Sequence, residues 1–317
     1  RKRIRYTYID LFIFMFSLYI CSISFFNSSY PTISIFKCVS YSFIFWAILR
    51  GIRATKDNVN WLEKIYWYMT FLFLACFLSI PFPFAYYSTA HWFAGITNQS
   101  NMFGILAGLY VGILFTRMLV NKPNFFSWVM FFITFGMIWM SNSRTGMLSI
   151  IISVVIYLAI SILKYKKFYY LVVIGSLLLA VIAFGVGDEV IAHINMFIFK
   201  GSSLDTIEMY SSNDIFSSRE GQLETFLVKF NNNPWFGSGF CVPFVANTVD
   251  WAFSFGVLVE PGNIGYAVLG DLGIIGVVIF SLLYGYILVK GFKIEKICLF
   301  LSPFTICLGE MVFFSTN

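Results

Sequence analysis

The chain alternates long apolar runs with short polar, mostly basic interruptions. Runs near the ~20 residues that a helix needs to cross a bilayer cover 8–26, 32–49, 62–82, 101–120, 125–141, 146–163, 168–187, 263–289 and 297–317. The pattern predicts an all-α polytopic membrane protein with about nine or more transmembrane helices. Residues 188–262 differ in character, holding nine of the chain's 15 acidic residues. The expected organisation is therefore helices one to seven in 1–187, one large outer loop over 188–262, and helices eight and nine in 263–317. Inside the loop, Leu223, Phe226, Leu227 and Phe230 recur at helical spacing, with Arg219, Gln222 and Lys229 on other faces. This predicts an amphipathic helix lying along the membrane interface. Ser217 and Glu220 form a capping box at its start, and Asn231-Asn232-Asn233-Pro234 ends it.

Composition agrees with the pattern. Hydrophobic residues make up 59% of the 317 and charged residues only 11%, against roughly 25% charged in a soluble domain. The net charge of +6 would suggest nucleic acid in a soluble protein. Here the cations cluster between apolar runs, so they report topology and no nucleic-acid partner is expected. With Arg1, Lys2, Arg3 and Arg5 inside, helix alternation places sixteen of the 21 basic residues on the same side. The exceptions are Lys37, Arg144, Lys200, Arg219 and Lys229, all on the outer side against the insertion bias. Six cysteines show no metal-ligand or disulfide spacing, and with no Asp-x-Asp pair a metal-dependent nucleotide-sugar transferase is not supported; no cofactor is expected. The chain opens on Arg1 and ends directly after an apolar run, so terminal helices beyond it are expected.

Few residues carry candidate chemistry. Arg144, in Ser143-Arg144-Thr145-Gly146, stands where the sixth helix begins, so backbone N–H groups and a guanidinium together could cradle pyrophosphate; a snorkelling anchor is the alternative. Arg219, near the start of the loop helix, needs acidic compensation, from a neighbouring carboxylate or from a phosphate. Glu260 precedes the eighth span at the outer surface, where an apolar boundary can raise a carboxyl towards general-base range. Asp271 lies about eight residues into that span, roughly 12 Å at 1.5 Å per residue, a depth that demands a partner or a water-filled cavity. Asn233 to Phe240 reads as a tight, closely packed turn. Gly265, Gly270, Gly273 and Gly276 read as helix-packing positions, and His91 and His193, the only two histidines, as interfacial side chains.

Taken together, these motifs resemble the O-antigen polymerase and ligase superfamily of bacterial envelope polysaccharide assembly. The resemblance covers roughly residues 85–290. Gly95-Ile96-Thr97-Asn98-Gln99-Ser100-Asn101-Met102-Phe103-Gly104 is similar to the family's helix start, and Ser143-Arg144-Thr145-Gly146 to its Ser-Arg-small-Gly motif. Ser218-Arg219 followed by a helix and Asn233-Pro234-Trp235-Phe236-Gly237-Ser238-Gly239-Phe240 resembles a third element. Leu269, Asp271, Gly273, Ile274, Ile275 and Gly276 match the closing helix. Ligases usually present His-Asn before that helix, whereas this chain has Gly262-Asn263, with Glu260 nearby, which favours the polymerase branch.

The resemblance implies a GT-C-like fold in the bacterial inner membrane, with a periplasmic active site. A glycan would pass from polyprenyl pyrophosphate to a sugar hydroxyl of a second lipid-linked unit, without metal and with inversion. Glu260 is then the expected base, and Arg219 and Arg144 the cations for the pyrophosphate. Asn263, Asp271, Asn101 and His91 are the expected substrate-binding residues. Donor and acceptor lipids are the implied partners, with membrane lipids and a chain-length regulator protein besides. Alternative readings are an O-antigen ligase acting on lipid A core, a small-anion transporter with charged residues in broken helices, and a structural subunit of an assembly machine.

Overall fold

The computed structural model describes residues 7–55, 57–86, 92–121, 123–164, 166–167, 169–170, 226–242 and 263–308. Among these the chain is helical, and its only extended pairing is a single bridge between Tyr86 and Phe93. The long helices are α1 (Tyr8–Phe26), α2 (Pro31–Thr55), α3 (Trp61–Leu78), α4 (Ser100–Val120), α5 (Phe125–Ser141), α6 (Arg144–Leu163), α7 (Ile264–Gly291) and α8 (Ile297–Cys307). Six of them are long and apolar enough to cross a membrane; α5, at 17 residues, is a shorter apolar helix, and α8 has 11. Many large side chains point outward, such as Phe43, Phe71 and Phe125, as a helix surrounded by lipid requires. The apolar run at 168–187, apart from Tyr169 and Tyr170, lies outside the described residues, as do the capping box Ser217/Glu220 and Leu223.

The described elements fall into two compact units. One contains α3 to α6 and most of α8; the other contains α1, α2, residues 226–242, α7 and Cys307–Leu308. In the first, α4 is the central post, buried over most of its surface with Ala107, Tyr110 and Leu114 fully covered. Small residues let neighbouring helices close on it: a Cβ on Gly104 would stand 1.9 Å from Ser143 Oγ, and one on Gly146 would stand 2.5 Å from Gly104 O. The starts of α4 and α6 are thereby fixed side by side, running in the same direction. Polar side chains inside the unit pair with one another, Thr70 with Tyr110 at 3.0 Å and Ser149 with Ser302 at 3.0 Å. At the other end of α4, Arg117 holds Glu63 at 2.9 Å and lies 4.3 Å from the Tyr66 ring centre. Lys164 pairs with Glu295, and that hydrogen bond holds the Glu295 carboxyl below its ordinary range. These cations sit at the helix ends that charge bias assigns to the inner side.

In the second unit α1 and α2 form a hairpin. Its closed end is joined by a hydrogen bond between the Ser34 and Ser24 hydroxyls at 2.8 Å, and its open end by Arg53 donating to Asp10 at 2.5 Å. Asp10 also caps α1 by accepting from the Thr7 N–H at 2.7 Å. α1 packs on α7, around a core of Ile13, Phe16, Ile20, Phe226, Phe240 and Leu272.

α7 is not one continuous helix. Gly273 has φ 66° and ψ −172°, a region open essentially to glycine alone. A Cβ there would lie 2.5 Å from Trp235 O and 2.6 Å from Gly237 N. The reading of Gly273 as a helix-packing glycine is thus corrected: it is the break, and another stretch of backbone fills the gap. We expect Gly273→Ala to destabilise the protein by at least about 1–3 kcal/mol, measured as a lowered melting temperature in detergent, whereas Gly285→Ala, whose site is open, leaves it unchanged.

Candidate functional site

A break in a membrane helix frees N–H and C=O groups that lipid cannot satisfy. Here residues 234–239 satisfy them. Ser238 N donates to Gly270 O at 3.1 Å and Gly239 N to Asp271 O at 3.1 Å, while Ile274 N donates to Pro234 O at 2.9 Å and Ile275 N to Trp235 O at 3.2 Å. Tyr19 supplies a hydroxyl to Leu272 O at 2.7 Å. The sequence Asn233-Pro234-Trp235-Phe236-Gly237-Ser238-Gly239-Phe240 is therefore a tight turn that docks into the break. Gly237 and Gly239 have φ of 74° and 105°. A Cβ on Gly237 would come within 2.3 Å of Asp271 O, so neither the conformation nor the contact admits a side chain.

Residues 226–232 are helical and end at Asn233. The expected orientation of this helix is corrected. Phe226 and Lys229 face inward, 3% and 1% exposed, whereas Leu227 is 42% exposed. Lys229, expected on a face other than the apolar one, is drawn inward to Asp271. Its Nζ donates to Asp271 Oδ1 at 2.7 Å and to Val242 O at 2.5 Å, and stands 4.7 Å from the centre of the Phe226 ring. The second Asp271 oxygen accepts the Cys241 N–H at 2.9 Å. Lys37, from the second turn of α2, donates to Cys241 O at 3.0 Å. Two cations and one carboxylate thus converge on a single dipeptide, Cys241-Val242, in an apolar interior. The partner that the depth of Asp271 demands is Lys229.

The other expected residues are placed as follows. Asn263 caps α7: its Oδ1 accepts from Gly265 N at 2.8 Å and Tyr266 N at 3.4 Å, and its Nδ2 donates to Leu308 O at 3.1 Å. Arg144 is the first residue of α6, half-buried, next to Ser143, whose buried Oγ has no hydrogen-bond partner among the described residues. Asn101, half-buried, lies in the first turn of α4, and the Gly104–Gly146 contact brings these two helix starts together. Glu260, Arg219 and His91 lie outside the described residues. A cavity of about 540 Å³ lined by Met118, Asn121, Tyr157, Ser161 and Lys167 opens at the opposite end of α4, about 25 Å from Asn101 at 1.5 Å per residue, and so is separate from the starts of α4 and α6. Among the described residues no cluster of His, Cys, Asp and Glu is arranged to hold a metal.

The sequence assigns neither Lys37 nor Lys229 a place beside Asp271, although both stand out as exceptions to the charge bias. That anomaly was the available signal. Removing one member of a buried ion pair leaves an uncompensated charge and typically costs about 3–5 kcal/mol, whereas apolar replacement of both is often nearly neutral. Asp271→Leu should accordingly unfold readily in detergent, and Lys229→Met/Asp271→Leu should recover most of the lost melting temperature; a double variant no more stable than the single would refute the pairing.

A family model described as O-antigen ligase matches residues 129–281, which include α6, the docked turn and the break in α7. No curated protein and no solved structure matches the chain. The Ser-Arg-Thr-Gly helix start, the Asn-Pro-Trp-Phe-Gly-Ser-Gly-Phe turn and the broken closing helix fall inside the matched stretch, and the match supports the likeness of the chain to the O-antigen polymerase and ligase superfamily.

Proposed function

We propose that the protein is a polymerase of lipid-linked oligosaccharide repeat units, of O-antigen or capsule type. The family match supports O-antigen-type glycan transfer in a multi-pass membrane protein. The observation that carries the polymerase reading is the sequence before α7: Gly262-Asn263 stands where ligases usually present His-Asn, with Glu260 just upstream. In this reading nine or more helices of GT-C-like arrangement span the bacterial inner membrane, and the 188–262 loop faces the periplasm. Glu260 removes the proton of the acceptor hydroxyl, which attacks the anomeric carbon of the donor glycan. The bond to polyprenyl pyrophosphate breaks, with inversion, and Arg219 and Arg144 take up the charge on the leaving group. Asn101 and His91 contribute to sugar binding. Asn263 and Asp271 belong to the same site, both engaged with backbone at the start and at the break of α7. Donor and acceptor lipids suffice as substrates, without metal, and a chain-length regulator is a further partner.

Two other readings have observations in their favour. The ligase reading rests on the description of the matched family. The transporter reading expects charge beside a broken membrane helix, which α7 with Lys229 and Asp271 provides; against it, these charges engage one another and the broken backbone is filled by residues 234–239.

The test is reconstitution of the purified protein with a lipid-pyrophosphate-linked repeat unit in chelator, with products resolved on a gel. A ladder is expected from wild type and none from Glu260→Gln or Arg219→Ala, a loss on the order of 10²–10⁴-fold for removal of a general base. Transfer only when lipid A core is supplied would make it a ligase, and no transfer to either acceptor would favour the transporter.

A further inference from the structure

The cavity at the far end of α4 lies within the unit of α3 to α6, on the side that charge bias assigns as inner, and the proposed transfer chemistry makes no use of it. Its volume of about 540 Å³ falls in the range of small-molecule sites, about 300–1,000 Å³. Part of its lining is apolar, from Met118, Leu119, Val120 and Pro123, and part is polar, from Asn121, Tyr157, Ser161 and Lys167. The apolar part continues towards the lipid-facing surface, since Val120 and Leu163, at the ends of α4 and α6, are 50% and 81% exposed.

The polar groups are held in place by the protein itself. Asn121 donates its amide to Glu63 Oε1 at 3.0 Å, and Arg117 holds the same carboxylate at 2.9 Å. The Tyr157 hydroxyl is hydrogen-bonded to Ser161 and to Tyr170, the latter at 3.2 Å. Beyond α6, Lys166 adopts φ 53°, a left-handed turn of the kind that ends helices, and Lys167 N then donates back to Ser161 O at 3.0 Å. That return brings Lys167 to the cavity. The sign of the ligand follows from charge: residues 117–124, 157–170 and 293–308 together contain seven basic residues and one acid, Glu295. Helix C-termini by themselves favour a cation, but their partial charges are outweighed by this excess of full ones.

We infer that this cavity binds an anionic phospholipid of the inner leaflet, with its phosphate at the Lys167 ammonium and the first part of an acyl chain along Met118, Leu119 and Val120. Basic pockets between membrane helices on that side suit such headgroups. A free phosphate ion would use the ammonium but leave the apolar lining against water, and a zwitterionic lipid would bring no net charge to the basic end. The inference holds whichever acceptor the protein glycosylates.

The test uses the full chain, delipidated in neutral detergent. Dissociation constants for phosphatidylglycerol and phosphatidylcholine of equal chain length are measured by native mass spectrometry, with inorganic phosphate as competitor. A phosphatidylglycerol with a photoreactive group in its acyl chain is then crosslinked and mapped by peptide mass spectrometry. Phosphatidylglycerol is expected to bind more tightly than phosphatidylcholine, to resist inorganic phosphate, and to label peptides that contain residues 118–120. Lys167→Gln should weaken it about fivefold, the contribution of one ammonium beside an anionic headgroup, whereas Lys166→Gln, outside the lining, should change it by less than about twofold. Lys167→Arg should keep wild-type binding. Val120→Trp adds bulk at an exposed position of the lining and should weaken binding without altering the melting temperature of the lipid-free protein; it decides the matter should Lys167→Gln not fold. Equal losses in Lys166→Gln and Lys167→Gln would mean diffuse surface attraction, displacement by inorganic phosphate would mean an ion site with no lipid, and labelling confined to other segments would place the lipid elsewhere; each overturns the inference.

Discussion

The second unit depends on one constraint: a backbone interrupted inside an apolar layer must find every hydrogen-bond partner within the protein. Gly273 interrupts α7, and residues 234–239 answer with two N–H donors on one side of the break and two carbonyl acceptors on the other. Much else in that unit is arranged around this exchange. Gly237 and Gly239 are glycines because the docked strand of backbone lies against Asp271 and Ser28 with no room for a Cβ. Tyr19 reaches across from α1 because Leu272 O would otherwise be left unbonded.

The break also explains why charge is tolerated there. Asp271 lies at the interruption, where a docked turn and the short helix at 226–232 supply an ammonium and a backbone N–H, so both its oxygens are engaged. Lysine is a costly residue in a membrane interior, and here two ammonium groups are satisfied by Asp271 and by the carbonyls of one dipeptide. In the other unit the same economy of contact is achieved differently: glycine and serine faces bring α4, α6 and α8 close, and cations stay at the inner helix ends with Glu63 and Glu295 as partners.

The residues proposed for function fall in both units. Ser143-Arg144 opens α6 beside the start of α4, where helix N-termini favour an anion. The docked turn, the buried charges and the capped start of α7 lie in the other unit. The family match spans residues of both.

Much of this was readable in the chain itself. Span positions follow from apolar length, because lipid imposes a length that needs no tertiary information: 8–26, 101–120 and 125–141 match α1, α4 and α5 almost residue for residue. The tight turn at 233–240 was legible from Asn-Pro and its paired glycines, and the need of Asp271 for a partner from its depth alone. The identity of that partner was not, because Lys229 is 42 residues away in the chain and the local helical pattern placed it on the outward face. Nor could hydropathy reveal the break at Gly273, since an apolar run with a glycine reads the same whether the helix continues or another backbone enters it. Apolar length and charge bias are summed over a segment and survive in one dimension; pairing and docking depend on which distant segment arrives, and only the folded chain decides that.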